Sequence, residues 1–255
     1  MLRKIMITGC MVAALASSAI AMAQTYVVGS GGTYRPFEFE NSQKQLEGFD
    51  IDIIKAIAKA ENFDIKLVNT PWEGIFATLN SGDRDIIISG ITITDKRKMM
   101  VDFSQPYFPA QQAIVVPEGS KVTALADLKG EKVGVVNSST GDIVVSEVLG
   151  KNSTAIKRFD NTPLLLQELF EDGVSAAVGD VGVVKYYIKQ HPEKAFKLVD
   201  DAKFERQHFG IAVAKGNEEL LKKINDGLQK IIADGSYAKI YQTWFDGDVP
   251  TLPAQ

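Results

Sequence analysis

The sequence has few of the residues that support covalent or metal chemistry. It contains one cysteine, Cys10, and two isolated histidines, His191 and His208. A disulfide needs two cysteines, and neither a G-x-S-x-G nor an H-E-x-x-H motif is present. These absences argue against a hydrolase and against a metal site, so we expect no metal and no cofactor.

The chain also lacks a basic excess and, after its first residues, a long apolar run. Lysine and arginine total 28 against 32 acidic residues, which gives a net charge of −4. A mildly acidic chain without a basic stripe argues against a nucleic-acid partner. The apolar content of 45% is that of an ordinary globular protein.

The N-terminal residues have the pattern of a secretory signal peptide. Arg3 and Lys4 precede an apolar run over residues 5–20, and the run ends in Ala21-Met22-Ala23. We predict cleavage after residue 23 and a periplasmic location. A membrane anchor is the alternative, but the run is shorter than the roughly 20 residues a spanning helix needs. A second alternative is a lipoprotein in which Cys10 is acylated, although the apolar run between the basic residues and Cys10 would then be very short.

The remaining pattern predicts an α/β fold. Strand-length apolar runs alternate with helical periodicity, as in a helix over 49–62 and a buried strand over 85–89. A second α/β set begins near Ile114, and no linker separates the two. We therefore predict two lobes, the first formed by residues 24–110 and 208–255 and the second by residues 111–207. Two crossings, near residues 107–113 and 203–209, would join them.

Arg97 is the candidate group for binding an anion. It follows a turn of small and polar residues after the strand at 85–89. Its planar guanidinium can hold a carboxylate through two hydrogen bonds. The alternative is a surface ion pair with Asp95 or Asp102. The loop Asn137–Gly141, at the start of a helix, offers free N–H groups as a second anion site, or it is a plain capping loop.

Asp180 is the candidate group for binding a cation. It lies at the carboxyl end of the apolar strand 175–178, and open α/β sheets bind their ligands at the edge formed by these strand ends. The alternative is that Asp180 serves only as a helix cap. Tyr34 and Trp72 stand in loop or helix-start positions where rings can stack on a ligand, or they pack in the core. The glycines at 29, 31 and 32 lack the lysine of a P-loop, so phosphate binding is rejected there.

Five motifs in order resemble the periplasmic amino-acid-binding proteins of polar amino-acid ABC importers, solute-binding protein family 3. The resemblance runs from about Thr25 to Phe245, and its motifs are Pro36-Phe37-Glu38-Phe39, Gly48-Phe49-Asp50-Ile51-Asp52, Ser89-Gly90-Ile91-Thr92-Ile93-Thr94-Asp95-Lys96-Arg97, Asp102-Phe103-Ser104-Gln105-Pro106-Tyr107 and Gly179-Asp180.

The resemblance implies the two-lobed type II periplasmic-binding-protein fold, with two β-strand crossings and a free amino acid enclosed between the lobes. It also implies membrane permease subunits of an ABC importer as partners, and a monomer. The ligand carboxylate would contact Arg97, Thr92 and Thr140, with Ser89 and Gly90 nearby and Asn137 and Gly141 in the adjoining loop. Asp180 would take the ammonium group, and Tyr34 and Trp72 would stack on the side chain.

The sequence departs from the family pattern where the ligand side chain is recognised. Relatives that bind glutamine or basic residues usually carry an acidic residue where Gly31 stands. A buried cation without a partner is costly, so we predict a neutral ligand such as glutamine unless Glu38 reaches into the site. An enzyme that dehydrates cyclic acids in the same cleft is an alternative function, as is an amino-acid sensor. We expect binding without catalysis.

Overall fold

The computed structural model describes residues 24–253. The predicted signal peptide and the alternatives for Cys10 concern residues 1–23, which lie outside the described residues. Within the described range, no helix is both long and apolar enough to cross a bilayer.

Strands and helices alternate along the chain, as predicted. The strands are β1 (Thr25–Ser30), β2 (Thr33–Tyr34), β3 (Glu38–Glu40), β4 (Leu46–Glu47), β5 (Asp64–Asn69), β6 (Ile86–Ile87), β7 (Val101–Phe103), β8 (Phe108–Ala110), β9 (Gln112–Pro117), β10 (Val133–Val136), β11 (Ile156–Phe159), β12 (Ala176–Asp180), β13 (Phe196–Val199), β14 (Gln207–Phe209) and β15 (Ala212–Ala214). The helices are α1 (Phe49–Ala60), α2 (Ile75–Asn80), α3 (Asp95–Lys98), α4 (Thr140–Leu149), α5 (Thr162–Phe170), α6 (Val181–Gln190), α7 (Glu218–Ala233) and α8 (Ser236–Trp244), with a 3-10 turn at Leu125–Leu128.

Two five-stranded sheets organise the structure. The first has the order β5-β1-β6-β15-β7, with β1 parallel to β5 and β6 and with β15 antiparallel to both of its neighbours. The second has the order β11-β10-β12-β9-β13, with β10 parallel to β11 and β12. Because β15 pairs between β6 and β7, the C-terminal part of the chain returns to the first sheet.

Two short strands join the sheets. Strand β8 carries the chain from β7 of the first sheet to β9 of the second, and β14 carries it back from β13 to β15. Strands β8 and β14 pair antiparallel over three residues each. Aromatic rings pack against this pair, with Phe37 4.8 Å from Phe108 and 5.2 Å from Phe209 between ring centroids. The connection between the two sheets is therefore a two-stranded ribbon that aromatic side chains pack against. The exact residue boundaries of the two lobes stay a prediction.

Helix α1 shows how the sequence pattern produces the packing. Its residues Phe49, Ile53, Ile54 and Ile57 are fully buried against the first sheet, the face that the apolar spacing predicted. Gly48 precedes it with φ 131°, and a Cβ there would overlap the backbone carbonyl of Phe37. Glycine is thus required for the chain to enter this helix.

Several predicted elements have different bounds in the structure. The strand predicted over 85–89 is the two-residue β6, and the helix predicted over 49–62 ends at Ala60. The sequence pattern also predicts a short helix over 72–80, a helix from Asp142 and a single strand over 209–214. The short helix expected from residue 72 begins at Ile75, because Gly74 before it is left-handed with φ 78°. The helix expected from Asp142 begins at Thr140, since Ser139 accepts a hydrogen bond from the Asp142 N–H and caps it. The single strand expected over 209–214 is two strands, β14 and β15, which separate at Gly210 as the chain passes from the crossing ribbon to the first sheet.

Candidate functional site

A cleft of about 360 Å³ opens between the two sheets. Small-molecule sites usually have volumes in this range. Residues from both sheets line it, and they include eight of the ten predicted binding residues: Tyr34, Trp72, Ser89, Gly90, Thr92, Arg97, Thr140 and Asp180. The structure thus gathers into one place side chains that are up to 146 positions apart in the sequence.

Arg97 is a buried cation on the wall formed by the first lobe. It is 6% exposed, and its Nη1 donates a hydrogen bond to the Thr92 carbonyl at 2.8 Å. Its guanidinium lies 5.1 Å from the Trp72 ring centroid and 5.6 Å from that of Phe76. Burial lowers the pKa of Arg97 to about 10, so the group stays charged at neutral pH.

The alternative of a surface ion pair for Arg97 is wrong. Asp102 instead pairs with Lys215 at 2.6 Å, and Asp95 pairs with Lys98 at 3.3 Å. No carboxylate of residues 24–253 lies within 4.0 Å of the Arg97 guanidinium. A buried cation without a carboxylate partner, facing a cleft, is suited to hold an anionic group of a ligand.

Asp180 is the opposing anion, at the end of β12 in the second sheet. It precedes α6, but its side chain makes no capping hydrogen bond, so the capping role considered for it is wrong. Instead Asp180 accepts hydrogen bonds from the Tyr34 hydroxyl and from Gln112 Nε2, the latter at 2.7 Å. Burial raises its pKa to about 6, opposed by the Tyr34 hydrogen bond and the nearby Arg97 charge. The carboxylate is therefore aimed into the cleft rather than at its own helix.

Contacts across the cleft hold the two lobes together. Tyr34 belongs to the small sheet β2-β3-β4 beside the first lobe, yet its hydroxyl donates to Asp180 of the second. Trp72 Nε1 donates to the Asn137 carbonyl at 2.9 Å, which again joins the two lobes. Both predicted aromatic residues are partly exposed on the cleft wall, and each also packs against a hydrophobic core with its buried side.

The loop at residues 137–141 contributes less to the cleft than predicted. Thr140 lines it and accepts a hydrogen bond from Gln112 Nε2 at 3.0 Å. Asn137 and Gly141 are not among the lining residues. A Cβ on Gly141 would lie 2.9 Å from the Val178 carbonyl, so this glycine lets α4 approach β12 closely.

Two buried polar residues of the cleft were not among the predicted binding residues: Gln112 was missed, and Glu38 was named only as a residue that could reach into the site. Gln112 opens the otherwise apolar strand β9, is 4% exposed and links Asp180 to Thr140. Glu38 stands among aromatic residues, is 1% exposed and lines the cleft beside Ser89. A polar residue inside an apolar segment is a usable signal, because burial of such a group requires a partner. Glu73 and Asp160 add carboxylates to the lining.

The cleft presents groups that can recognise a charged ligand. A cation on one wall faces an anion on the other, and hydroxyl and amide groups lie between them. Among residues 24–253, no group of three or more histidine, cysteine, aspartate or glutamate side chains is placed to hold a metal ion. The arrangement complements a small zwitterion.

Comparisons with known proteins agree with this geometry. Residues 26–247 match the family described as bacterial extracellular solute-binding proteins, family 3. A protein of Neisseria gonorrhoeae named probable histidine-binding protein is 44% identical over 231 residues, covering 90% of this chain and 86% of that protein.

Solved structures show the same fold. The arginine-, lysine-, histidine-binding protein ArtJ of Geobacillus stearothermophilus has a TM-score of 0.83 at 39% identity, covering 87% of this chain and 95% of that one. An ancestral amino-acid-binding protein, AncCDT-1, described as a precursor of cyclohexadienyl dehydratase, has a TM-score of 0.79 at 38% identity, covering 87% and 96%. The predicted α/β type II periplasmic-binding-protein fold is confirmed. The chain belongs to the bacterial extracellular solute-binding proteins, family 3.

Proposed function

We propose that this protein encloses one free α-amino acid between its two lobes and presents it to the membrane subunits of an ABC importer. The observation that carries the proposal is the placement of Arg97 and Asp180. They stand in different lobes on facing walls of one cleft, and neither forms an ion pair with another residue of the range 24–253. The α-carboxylate of the ligand would pair with Arg97, and its α-ammonium group would pair with Asp180.

Closure follows from this division of contacts. A ligand bound only to one lobe would have equal affinity for the open and closed forms and would not shift their balance. A zwitterion that joins Arg97 to Asp180 gains contacts only when the lobes approach. The hydrogen bonds from Tyr34 to Asp180 and from Trp72 to the Asn137 carbonyl would add to the closed form.

Relatives support this function. The Neisseria protein is named for histidine and ArtJ for arginine, lysine and histidine, so amino acids with polar side chains are the ligand class to test first. Membership in an extracellular solute-binding family, together with the predicted signal peptide, supports a periplasmic location. A monomeric state and ABC permease partners belong to the same proposal.

The predicted neutral ligand, with glutamine as the example, depended on Glu38 staying out of the cleft. Glu38 lines the cleft, so that premise fails. Glutamine stays among the ligands to be tested, without preference over basic amino acids.

A thermal-shift screen of residues 24–255 against the common amino acids tests the proposal. At about 100 times its dissociation constant, the true ligand should stabilise the protein by roughly 2.7 kcal/mol. If no amino acid raises the melting temperature, the proposal is wrong. Binding without catalysis is also proposed, and product formation from cyclic acids such as those dehydrated by cyclohexadienyl dehydratases would contradict it.

A further inference from the structure

Gln112 is a buried glutamine at the point where the two-stranded ribbon enters the second lobe. It is the first residue of β9, the residues that follow it in the strand are apolar, and it is 4% exposed. Strand β9 pairs antiparallel with β12, and the register places Gln112 directly opposite Asp180. Side chains of such a pair lie on the same face of the sheet. The backbone therefore sets the Gln112 amide beside the Asp180 carboxyl group.

The amide nitrogen of Gln112 uses both of its N–H groups within the second lobe. Nε2 donates to Asp180 Oδ1 at 2.7 Å and to Thr140 Oγ1 at 3.0 Å. With the amide reversed, its oxygen would face the carboxylate, so this orientation is the one that an ionised Asp180 permits. One side chain thus connects the end of β12 with the first residue of α4.

Both groups that Gln112 contacts keep hydrogen-bonding capacity for a ligand. Asp180 accepts one hydrogen bond from Tyr34 and one from Gln112, and each carboxylate oxygen can accept a second. The Thr140 oxygen accepts from Gln112, and its own hydroxyl proton has no protein acceptor among residues 24–253. Asp180 and Thr140 both line the cleft. The second lobe therefore offers an acceptor for an ammonium group and a donor for a carboxylate.

The other end of the Gln112 amide shows that stability alone does not account for this residue. Gln112 Oε1 is buried and has no hydrogen-bond donor in the part of the chain that the structure describes. A Cβ on Gly141 would lie 3.1 Å from this oxygen, so α4 packs directly against the amide. An unpaired buried oxygen is unfavourable, and an apolar side chain at the start of this apolar strand would avoid that cost.

We propose that Gln112 is a positioning residue for the bound amino acid: its amide holds the Asp180 carboxylate to receive the α-ammonium group and the Thr140 hydroxyl to donate to the α-carboxylate. The proposal rests on the proposed function. Burial raises the pKa of Asp180, and the Gln112 hydrogen bond is among the contacts that lower it. Gln112 thus also favours the charged form of Asp180, which is the form that attracts an ammonium group.

Gln112→Met tests the residue, because methionine has a similar length and no hydrogen-bond donor. Gln111→Met is the matched control, since Gln111 also donates to an aspartate, Asp200 Oδ1, at 2.9 Å but does not line the cleft. Each protein is titrated calorimetrically between pH 5.5 and 8.5 with the strongest amino-acid ligand from the thermal-shift screen. Thermal melting of the empty variants checks that they fold.

The affinity of Gln112→Met should fall most at low pH. Loss of a hydrogen bond to the charged form raises the pKa of Asp180 further, so we expect binding roughly 5-fold weaker than wild type at pH 7 and roughly 20-fold weaker at pH 5.5. The other charged or titratable groups that face Asp180 are Tyr34, Arg97 and Glu38, and the variant changes none of them. Gln111→Met should bind as the wild type does at every pH.

A merely structural role for Gln112 gives a different result. Distortion of the lobe would weaken binding by the same factor at pH 5.5 and 8.5, and that outcome would overturn the proposal. Wild-type affinity in Gln112→Met, or equal losses in Gln112→Met and Gln111→Met, would overturn it as well, while the proposed function would stand.

A second variant decides the question if Gln112→Met does not fold. Gln112→Glu keeps the shape of the side chain but has no N–H donor, so it should bind roughly 10-fold or more weakly at pH 7, and wild-type affinity would again overturn the proposal. If the wild type binds no amino acid at all, the proposed function fails and takes this inference with it.

Discussion

Replacement of Arg97 by methionine should separate ligand binding from stability. The Thr92 carbonyl is the one hydrogen-bond acceptor that the Arg97 guanidinium contacts in the described part of the chain, which leaves its other N–H groups available for a ligand. A hydrogen bond to a charged group contributes about 1.5 to 3 kcal/mol. Loss of a two-point contact to a carboxylate should therefore cost about 3 to 4 kcal/mol, or roughly 150- to 700-fold in affinity.

The empty protein should tolerate the same change. Methionine would lie between the rings of Trp72 and Phe76 and would remove a buried charge that has no carboxylate partner. This gain offsets the lost bond to Thr92, so we expect the free energy of unfolding to change by no more than about 1 kcal/mol, which is roughly 2 to 4 °C in melting temperature for a chain of this size.

The assay is calorimetric titration with the strongest ligand from the thermal-shift screen, together with melting of the empty protein. Arg84→Met is the matched control, because Arg84 belongs to the same lobe and bonds to Thr70 Oγ1 at 3.0 Å but does not line the cleft. An affinity within threefold of wild type for Arg97→Met would refute the reasoning. A fall of about 10 °C in the melting temperature of the empty variant would show that Arg97 is mainly a structural cation.

Three further predictions concern charge, closure and backbone. Because burial raises the pKa of Asp180 to about 6, ligand affinity should fall as the pH drops below about 6, and Asp180→Asn should bind weakly at every pH, as calorimetric titration across pH 5–8 can check. Relative to that variant, the empty wild type should lose stability in thermal melts as the pH rises from about 4 to 6, since the folded state holds a proton that the unfolded chain releases. Trp72→Phe keeps a ring but removes the 2.9 Å hydrogen bond across the cleft, so stopped-flow measurements should show ligand release about fivefold faster. Gly48→Ala should lower the free energy of unfolding in urea by about 3 kcal/mol or more, because φ is 131° and the methyl group would overlap backbone, whereas Gly82→Ala, with φ 77° and open space, should cost about 1 kcal/mol.

Local features of the fold could be predicted from the sequence because they depend on spacing along the chain. The buried face of α1, with Phe49 and Ile53, follows from helical periodicity alone. The cap of α5 is equally local, since Asn161 accepts from the Leu164 N–H three residues away. Where strand or helix ends were misplaced, as at Gly74 and Gly210, a glycine next to the element changed the direction of the chain.

The chemistry of Arg97 and Asp180 could also be predicted, because few groups bind a carboxylate or an ammonium so well. Their alternatives could not be excluded from the sequence. Whether Arg97 formed a surface ion pair, and whether Asp180 capped its helix, depended on groups far away in the chain. In the folded protein, Asp102 forms an ion pair with Lys215, 113 residues away. Asp180 accepts a hydrogen bond from Tyr34, 146 residues away.

The sequence named Glu38 as a residue that could reach into the site, but only the tertiary structure decided that it lines the cleft. Sequence comparison directed attention to Gly31, where a carboxylate is absent, and predicted a neutral ligand. Folding brings Glu38 within hydrogen-bond distance of Ser89, 51 residues away, beside the space that Gly31 leaves. The sequence determined which residue types were available to bind an amino acid, whereas packing decided which of them share one cleft, because burial and charge depend on neighbours in space.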